Sequence, residues 1–128
     1  MDNRLDHKKL LIFGLGAIQR MLETRYPDLP VVAYADNNPE KQGTQYRGKP
    51  VMAPENIRDI WSDDMAIVVG TSQISAISQQ LDALGFELER EYFDGADFLS
   101  DEEFRETFRL DPDMENDFIR IYQQCRKF

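Results

Sequence analysis

Apolar residues in this chain fall into two alternating patterns. Leu10–Phe13, Val31–Ala35 and Met65–Val69 are short unbroken runs, the pattern of strands buried on both faces. Between them the apolar positions recur at helical spacing: Ile18, Met21 and Leu22 after the first run, and Ile74, Ile77, Leu81 and Leu84 after the third. The first helix is expected over Ala17–Arg25, because Tyr26-Pro27-Asp28 cannot continue it. Gly85 stops the later helix. A shorter strand is expected at Val51-Met52. It precedes a helix begun by Pro54, with Ile57, Ile60 and Trp61 on its core face. A fifth strand lies between Phe86 and Phe93, with Glu91-Tyr92-Phe93 its better half. Strands alternating with helices predict an α/β, three-layer domain with a parallel five-stranded sheet, order 3-2-1-4-5.

Beyond the fifth strand, Asp94-Gly95 turns the chain, and Ser100-Asp101-Glu102-Glu103 reads as a capping box ahead of Phe104 and Phe108. Asp111-Pro112 opens a last helix with the stripe Met114, Phe118, Ile121, Tyr122 and Cys125. Acids at its start and Arg126-Lys127 at its end suit the helix dipole. The expected organisation is a domain over residues 1–110 and, over 111–128, a C-terminal helix or linker to a downstream domain. The broad apolar stripe must bury itself on its own domain, a second copy of the chain or that downstream domain.

The chemistry concentrates after the first run. Gly14 and Gly16 sit between strand and helix, so the turn carries backbone N–H groups to a helix start. There the macrodipole favours an anion such as a pyrophosphate. The second strand ends on Asp36, twenty positions after Gly16. That is about where a dinucleotide-binding fold keeps the acid that holds a ribose hydroxyl. The expected cofactor-binding set is Gly14, Gly16, Ala17, Ile18, Asp36, Asn37, Thr71 and Ser72. Asp36 and Asn37 open a turn-rich loop where ligands of open α/β sheets bind; an Asx-turn there is the competing role. Thr71 and Ser72 follow the fourth strand at the same edge, with Ser72 also a candidate N-cap. Arg20, early in the first helix, is a candidate phosphate contact. The motif departs from Gly-x-Gly-x-x-Gly at its third position, where Gln19 stands in place of a small residue. Gln19 predicts a helix set further out, or an altered phosphate site.

Composition narrows the function classes. The 128 residues form one domain of ordinary size, with 41% hydrophobic residues and a net charge of −9. That charge argues against a nucleic-acid surface but leaves room for a single nucleotide held by backbone amides. Cys125 is the only cysteine, so no internal disulfide and no thiolate metal cluster can form. His7, the only histidine, reads as a solvated residue within or beside a flexible lead-in, Met1 to Asp6. No stretch approaches a membrane span or a signal peptide, and a cytoplasmic setting is expected.

Three stretches recur in the same order in a known group: Leu11-Ile12-Phe13-Gly14-Leu15-Gly16, Ala35-Asp36-Asn37-Asn38-Pro39-Glu40-Lys41-Gln42-Gly43 and Gly48-Lys49-Pro50-Val51. From Lys8 to Leu99 the chain resembles the small Rossmann-like domain of saccharide and polysaccharide biosynthesis proteins. In that group the domain precedes sugar acyltransferases, sugar-nucleotide dehydratases and some methyltransferases. The resemblance implies a nucleotide or nucleotide-sugar site, with Gly14 and Gly16 near the phosphates and Asp36 and Asn37 near the nucleoside. The tail Phe118–Arg126 is similar to the linker ahead of a SAM-dependent methyltransferase domain. The favoured function is a nucleotide or nucleotide-sugar binding module, non-catalytic alone. Its alternatives are the NAD-binding domain of an oxidoreductase and a ligand-free structural or oligomerisation domain.

Overall fold

The computed structural model describes residues 3–100 and Glu102. The expected helix carrying Phe104 and Phe108, and the stripe from Met114 to Cys125, lie outside these residues. The described strands are β1 (Lys9–Phe13), β2 (Val31–Ala35), β3 (Gln45–Tyr46), β4 (Lys49–Met52), β5 (Met65–Val69) and β6 (Tyr92–Asp94). The helices are α1 (Ala17–Arg25), α2 (Ile57–Ile60) and α3 (Ile74–Ala83).

The strands form one six-stranded sheet, order β3-β4-β2-β1-β5-β6. All pairings are parallel except β3 with β4. The sheet is therefore mixed, and its strand count and order differ from the five parallel strands expected. The difference is Gln45–Tyr46, which folds back on β4 at the border. Its turn is Arg47-Gly48, with φ of 51° and 76°. Positive φ at both central residues is the geometry of a tight hairpin turn, but an arginine there carries no sequence signal for it.

Alternate residues of β1 serve the two faces of the sheet. Leu10 and Ile12 join α1 and the segment after β6, through Ile18, Met21, Leu22, Phe93 and Phe98. Leu11 and Phe13 join the α2 and α3 side, through Ile57, Ile77, Leu81 and Phe86. This two-sided burial makes the runs continuously apolar. The core also reaches further towards the N-terminus than expected. Asn3–Leu5 form a 3₁₀ turn, Leu5 is 7% exposed, and the Arg4 guanidinium stands 5.4 Å and 5.3 Å from the ring centres of Phe93 and Phe98. The lead-in is thus tied down from Asn3 by apolar and cation–π contacts. Ile60 departs in the other direction. Helix α2 lasts only four residues after a 3₁₀ turn at Pro54–Asn56, so Ile57 is buried while Ile60 is 42% exposed. Among the described residues no helix is long and apolar enough to cross a membrane.

Candidate functional site

Register brings the candidate residues together. Phe13 pairs with Ala35 on one side and Val69 on the other, so Gly14, Asp36 and Gly70 leave the sheet side by side. Gly14 N–H donates to Ala35 O at 2.7 Å, and Gly70 N–H to Phe13 O at 2.8 Å. β1 has β2 on one side and β5 on the other, so the chain changes direction of travel across the sheet here. Ligands of open α/β sheets bind at such a point, outside the carboxyl ends of the strands.

The glycine turn is packed from across the sheet. Gly14 has φ of 103°, which disfavours side-chain-bearing residues. A Cβ on Gly14 would stand 2.3 Å from the Thr71 methyl, and one on Gly16 would stand 2.9 Å from it and 3.1 Å from Gly70 O. Both glycines therefore admit Thr71. The Thr71 hydroxyl oxygen accepts from Gln73 N–H at 3.2 Å. The N-cap of α3 is Gln73, which makes no side-chain capping bond, so the expected Ser72 cap is replaced by this short turn.

Asp36 holds the turn from the other side. Its Oδ2 accepts from Leu15 N–H at 2.9 Å and its Oδ1 from Asn38 N–H at 2.8 Å. A carboxylate has about four acceptor positions, so Asp36 keeps capacity for a ribose hydroxyl while making both bonds. Asn37 is turned towards α3. Its amide exchanges two 2.8 Å hydrogen bonds with Gln80 of α3.

The start of α1 retains donors. Gln19 N–H donates to Gly70 O at 2.8 Å and Arg20 N–H to Gly16 O at 3.1 Å. Among the described residues, the N–H groups of Gly16, Ala17 and Ile18 meet no protein acceptor. They are consecutive, at the positive end of a nine-residue helix. This backbone suits the phosphates of a nucleotide, including those of NAD. Ile18 contributes only backbone, since its side chain is 0% exposed.

Gln19 is the unexpected residue. It is 1% exposed, and its Nε2 donates to Glu23 and, at 3.3 Å, to the Tyr46 hydroxyl. Glu23, 6% exposed, accepts from the Tyr34 hydroxyl at 2.7 Å and lies 3.6 Å from Arg47 Nη1. Tyr34 and Tyr46 meet edge to face with ring centres 5.0 Å apart. Burial, then the hydrogen bond and charge of Glu23, raise the Tyr34 hydroxyl well above the usual tyrosine pKa. Sequence reading missed this network. The available signal was Gln19 and Glu23 one helical turn apart beside the apolar stripe, because a buried carboxylate requires partners. In front of Gln19 a cleft of about 340 Å³ is lined by Leu15, Arg20, Lys41, Thr44, Gln45 and Tyr46. Among the described residues, no three His, Cys, Asp or Glu side chains group to hold a metal ion.

The crystal structure of UDP-D-quinovosamine 4-dehydrogenase from Vibrio fischeri is similar to this chain at 21% identity and a TM-score of 0.48. The match covers 62% of this chain and 74% of that one. RSP, a Rex-family repressor, matches at 15% identity and a TM-score of 0.49, over 91% of this chain and 65% of its own. RSP in complex with beta-NADH matches at 15% identity and 0.49, over 88% and 62%. This chain thus spans less than two thirds of either RSP chain. No curated protein sequence matches it. The family model described as C2185-like, N-terminal, matches residues 6–92, and the chain belongs to that family.

Proposed function

We propose that the chain is a nucleotide- or nucleotide-sugar-binding module of a saccharide-biosynthesis protein. The observation that carries this reading is the run of N–H groups on Gly16, Ala17 and Ile18, which meet no acceptor among the described residues. A phosphate there takes donors at a helix start, at the sheet's point of reversal. Asp36 offers its remaining acceptor positions to the ribose. The saccharide assignment rests on the Asp36-Asn37-Asn38-Pro39 loop and Gly48-Lys49-Pro50-Val51.

Ala17→Pro tests the phosphate site. Ala17 is the first residue of α1, where proline fits, and Gly16 before it is extended, with φ −120° and ψ −167°. The change removes one N–H and leaves the helix intact. Calorimetric titration with a UDP-sugar and with NADH should give binding by the native chain. The affinity for the ligand that binds should fall about tenfold in Ala17→Pro, with thermal stability unchanged. Equal affinity for the two proteins would place the ligand elsewhere.

A second reading is a structural domain whose glycines serve packing alone. The Thr71 methyl against Gly14 and Gly16 favours it, as do the internal bonds of Asp36 and Asn37. Absence of heat with every nucleotide, from a folded protein, would select it.

A further inference from the structure

We propose that the hollow at the amino ends of β1 and β2 is the docking site for the chain's own segment 111–128, which seats its apolar stripe there. The hollow has two parts, of about 440 Å³ and about 380 Å³, which share Leu29 and Pro30. The first is bounded by Leu5, the turn at Asp6–Lys8 and the start of β1. The second runs along the end of α1, from Arg25 to Asp28. Gly14 and Asp36 are at the opposite, carboxyl edge of the same strands, so this inference goes beyond the nucleotide reading and does not depend on it.

The hollow is an open flank of the α1-side core. Leu5 belongs to that cluster, and Tyr26 and Leu29, both half-buried, pack against it. Pro27 and Pro30 are exposed beside them. Neither proline has an N–H, so both add apolar ring surface without a backbone donor. An amphipathic segment laid here would extend the existing core instead of founding a new one.

The path of the chain identifies the occupant. Phe98 and Leu99 belong to the same α1-side cluster, and the Phe98 ring centre is 5.3 Å from the guanidinium of Arg4, the neighbour of Leu5. The chain therefore reaches Ser100 beside the hollow. Met114, where the stripe begins, follows Ser100 by 14 residues (114 − 100), a stretch that extends to about 46 Å, so reach sets no limit. Charge agrees. Residues 111–117 hold four acids, Asp111, Asp113, Glu115 and Asp117, and no base. The rim along α1 carries Arg25, its guanidinium 5.8 Å from the Tyr26 ring centre. The acids of the rim, Asp6 and Asp28, suit the basic end of the segment, Arg126 and Lys127. A rival hollow of about 340 Å³ lies beside the exposed Val32 and Ile60. Its Ala33, Met52 and Met65 place it on the α2 and α3 face, across the sheet from Leu99.

Paramagnetic broadening in the full chain locates the segment. Cys125 is the only cysteine, so Cys125→Ser with Gln123→Cys carries one nitroxide, on the helix side opposite the stripe, where it leaves the contact open. The amide signals of Leu5, His7, Tyr26 and Leu29 should lose most of their intensity, while those of Val32 and Ile60 keep theirs. Adding Phe118→Ala and Ile121→Ala should restore the lost signals without shifting the amides of β1 and β5. Broadening centred on Val32 and Ile60 overturns the proposal, as does its absence from both hollows. Broadening that passes only from a spin-labelled molecule to a second copy overturns it too, and so does broadening unchanged by the two alanines. No nucleotide enters the measurement, so every outcome leaves the nucleotide reading untouched.

Discussion

Gly70 stands against Gln19, and the pair reverses the arrangement that the glycine motif leads one to expect. In the full motif the third small residue is on the helix and lets it approach the sheet. Here the helix carries Gln19, and the small residue is on the strand side. A Cβ on Gly70 would lie 2.7 Å from Gln19 Cβ, 2.5 Å from Gly14 O and 3.0 Å from Ile12 Cγ2. Close packing of α1 is thereby kept, and the glutamine side chain is turned into the Glu23 network.

Gly70→Ala should be destabilising, because the carbonyl of Gly14 cannot move aside as a flexible side chain would. A loss of about 1–3 kcal/mol is expected, the scale of overpacking. Adding Gln19→Gly removes one of the clashing atoms but also costs about 1 kcal/mol for glycine in a helix and a donor to the buried Glu23, so the double variant should lose less than the sum of the two single losses. A urea-denaturation double-mutant cycle reads the coupling. Strict additivity would show that the two residues do not share the space.

Thr71→Ser should cost about 1 kcal/mol, the scale of deleting one buried methyl group. It should also make Gly16→Ala better tolerated, because the methyl is the nearest atom to the added Cβ. Thermal melts of the two single variants and the double variant test this. An equal penalty for Gly16→Ala in both backgrounds would assign the clash to Gly70 O instead.

Asp36→Ala removes the acceptor of Leu15 N–H and Asn38 N–H. Losing these bonds should cost about 1–3 kcal/mol. Hydrogen exchange at the Leu15 amide should accelerate more than at Gly14, whose N–H is held by Ala35 O. If the Leu15 amide exchanges at its native rate, Asp36 does not hold the turn.

Tyr34 makes stability depend on pH in the alkaline range. Its folded pKa is raised, so the unfolded chain releases this proton first, from about pH 10 upward. Stability contributed by the neutral hydroxyl is complete below that pH and is lost as pH rises toward the folded value, at up to about 1.4 kcal/mol per pH unit. Tyr92 is also raised, by burial and then by its hydrogen bond to Asp82, and adds to the native slope. Denaturation of Tyr34→Phe between pH 9 and pH 11 should show a slope shallower by up to one proton. Parallel slopes would mean that Tyr34 ionises as easily in the folded chain as in the unfolded one.

The elements that were legible are those whose apolar run meets a turn signal directly. Ala17–Arg25, Val31–Ala35 and Met65–Val69 have the boundaries expected, because Gly16, Pro27, Asp36 and Gly70 mark sharp ends. β3 was not legible. It has two residues, no alternation to detect, and a turn whose first central residue is arginine. At the site, spacing alone places Gly14, Gly16 and Asp36 at one edge. The partners they choose are non-local: Thr71 comes from beyond β5, and Asp36 reaches back to Leu15. The Glu23 network draws on α1, β2 and the β3–β4 hairpin, so beyond Gln19 and Glu23, one helical turn apart, its members share no spacing.

The hairpin at Gln45–Met52 also governs how the sheet ends. An open sheet offers unpaired N–H and C=O groups to any extended strand, and a long, flat border is a template for aggregation. Among the described residues one border is the two-residue β3 and the other the three-residue β6. β4, next inward, places Pro50 opposite Gln45, where proline has no N–H to donate. The hairpin fastened to α1 through Tyr46 and Arg47 thus acts as a guard rail. Loosening it would bare β4 and Val51, and turn a self-contained sheet into one able to recruit its neighbours.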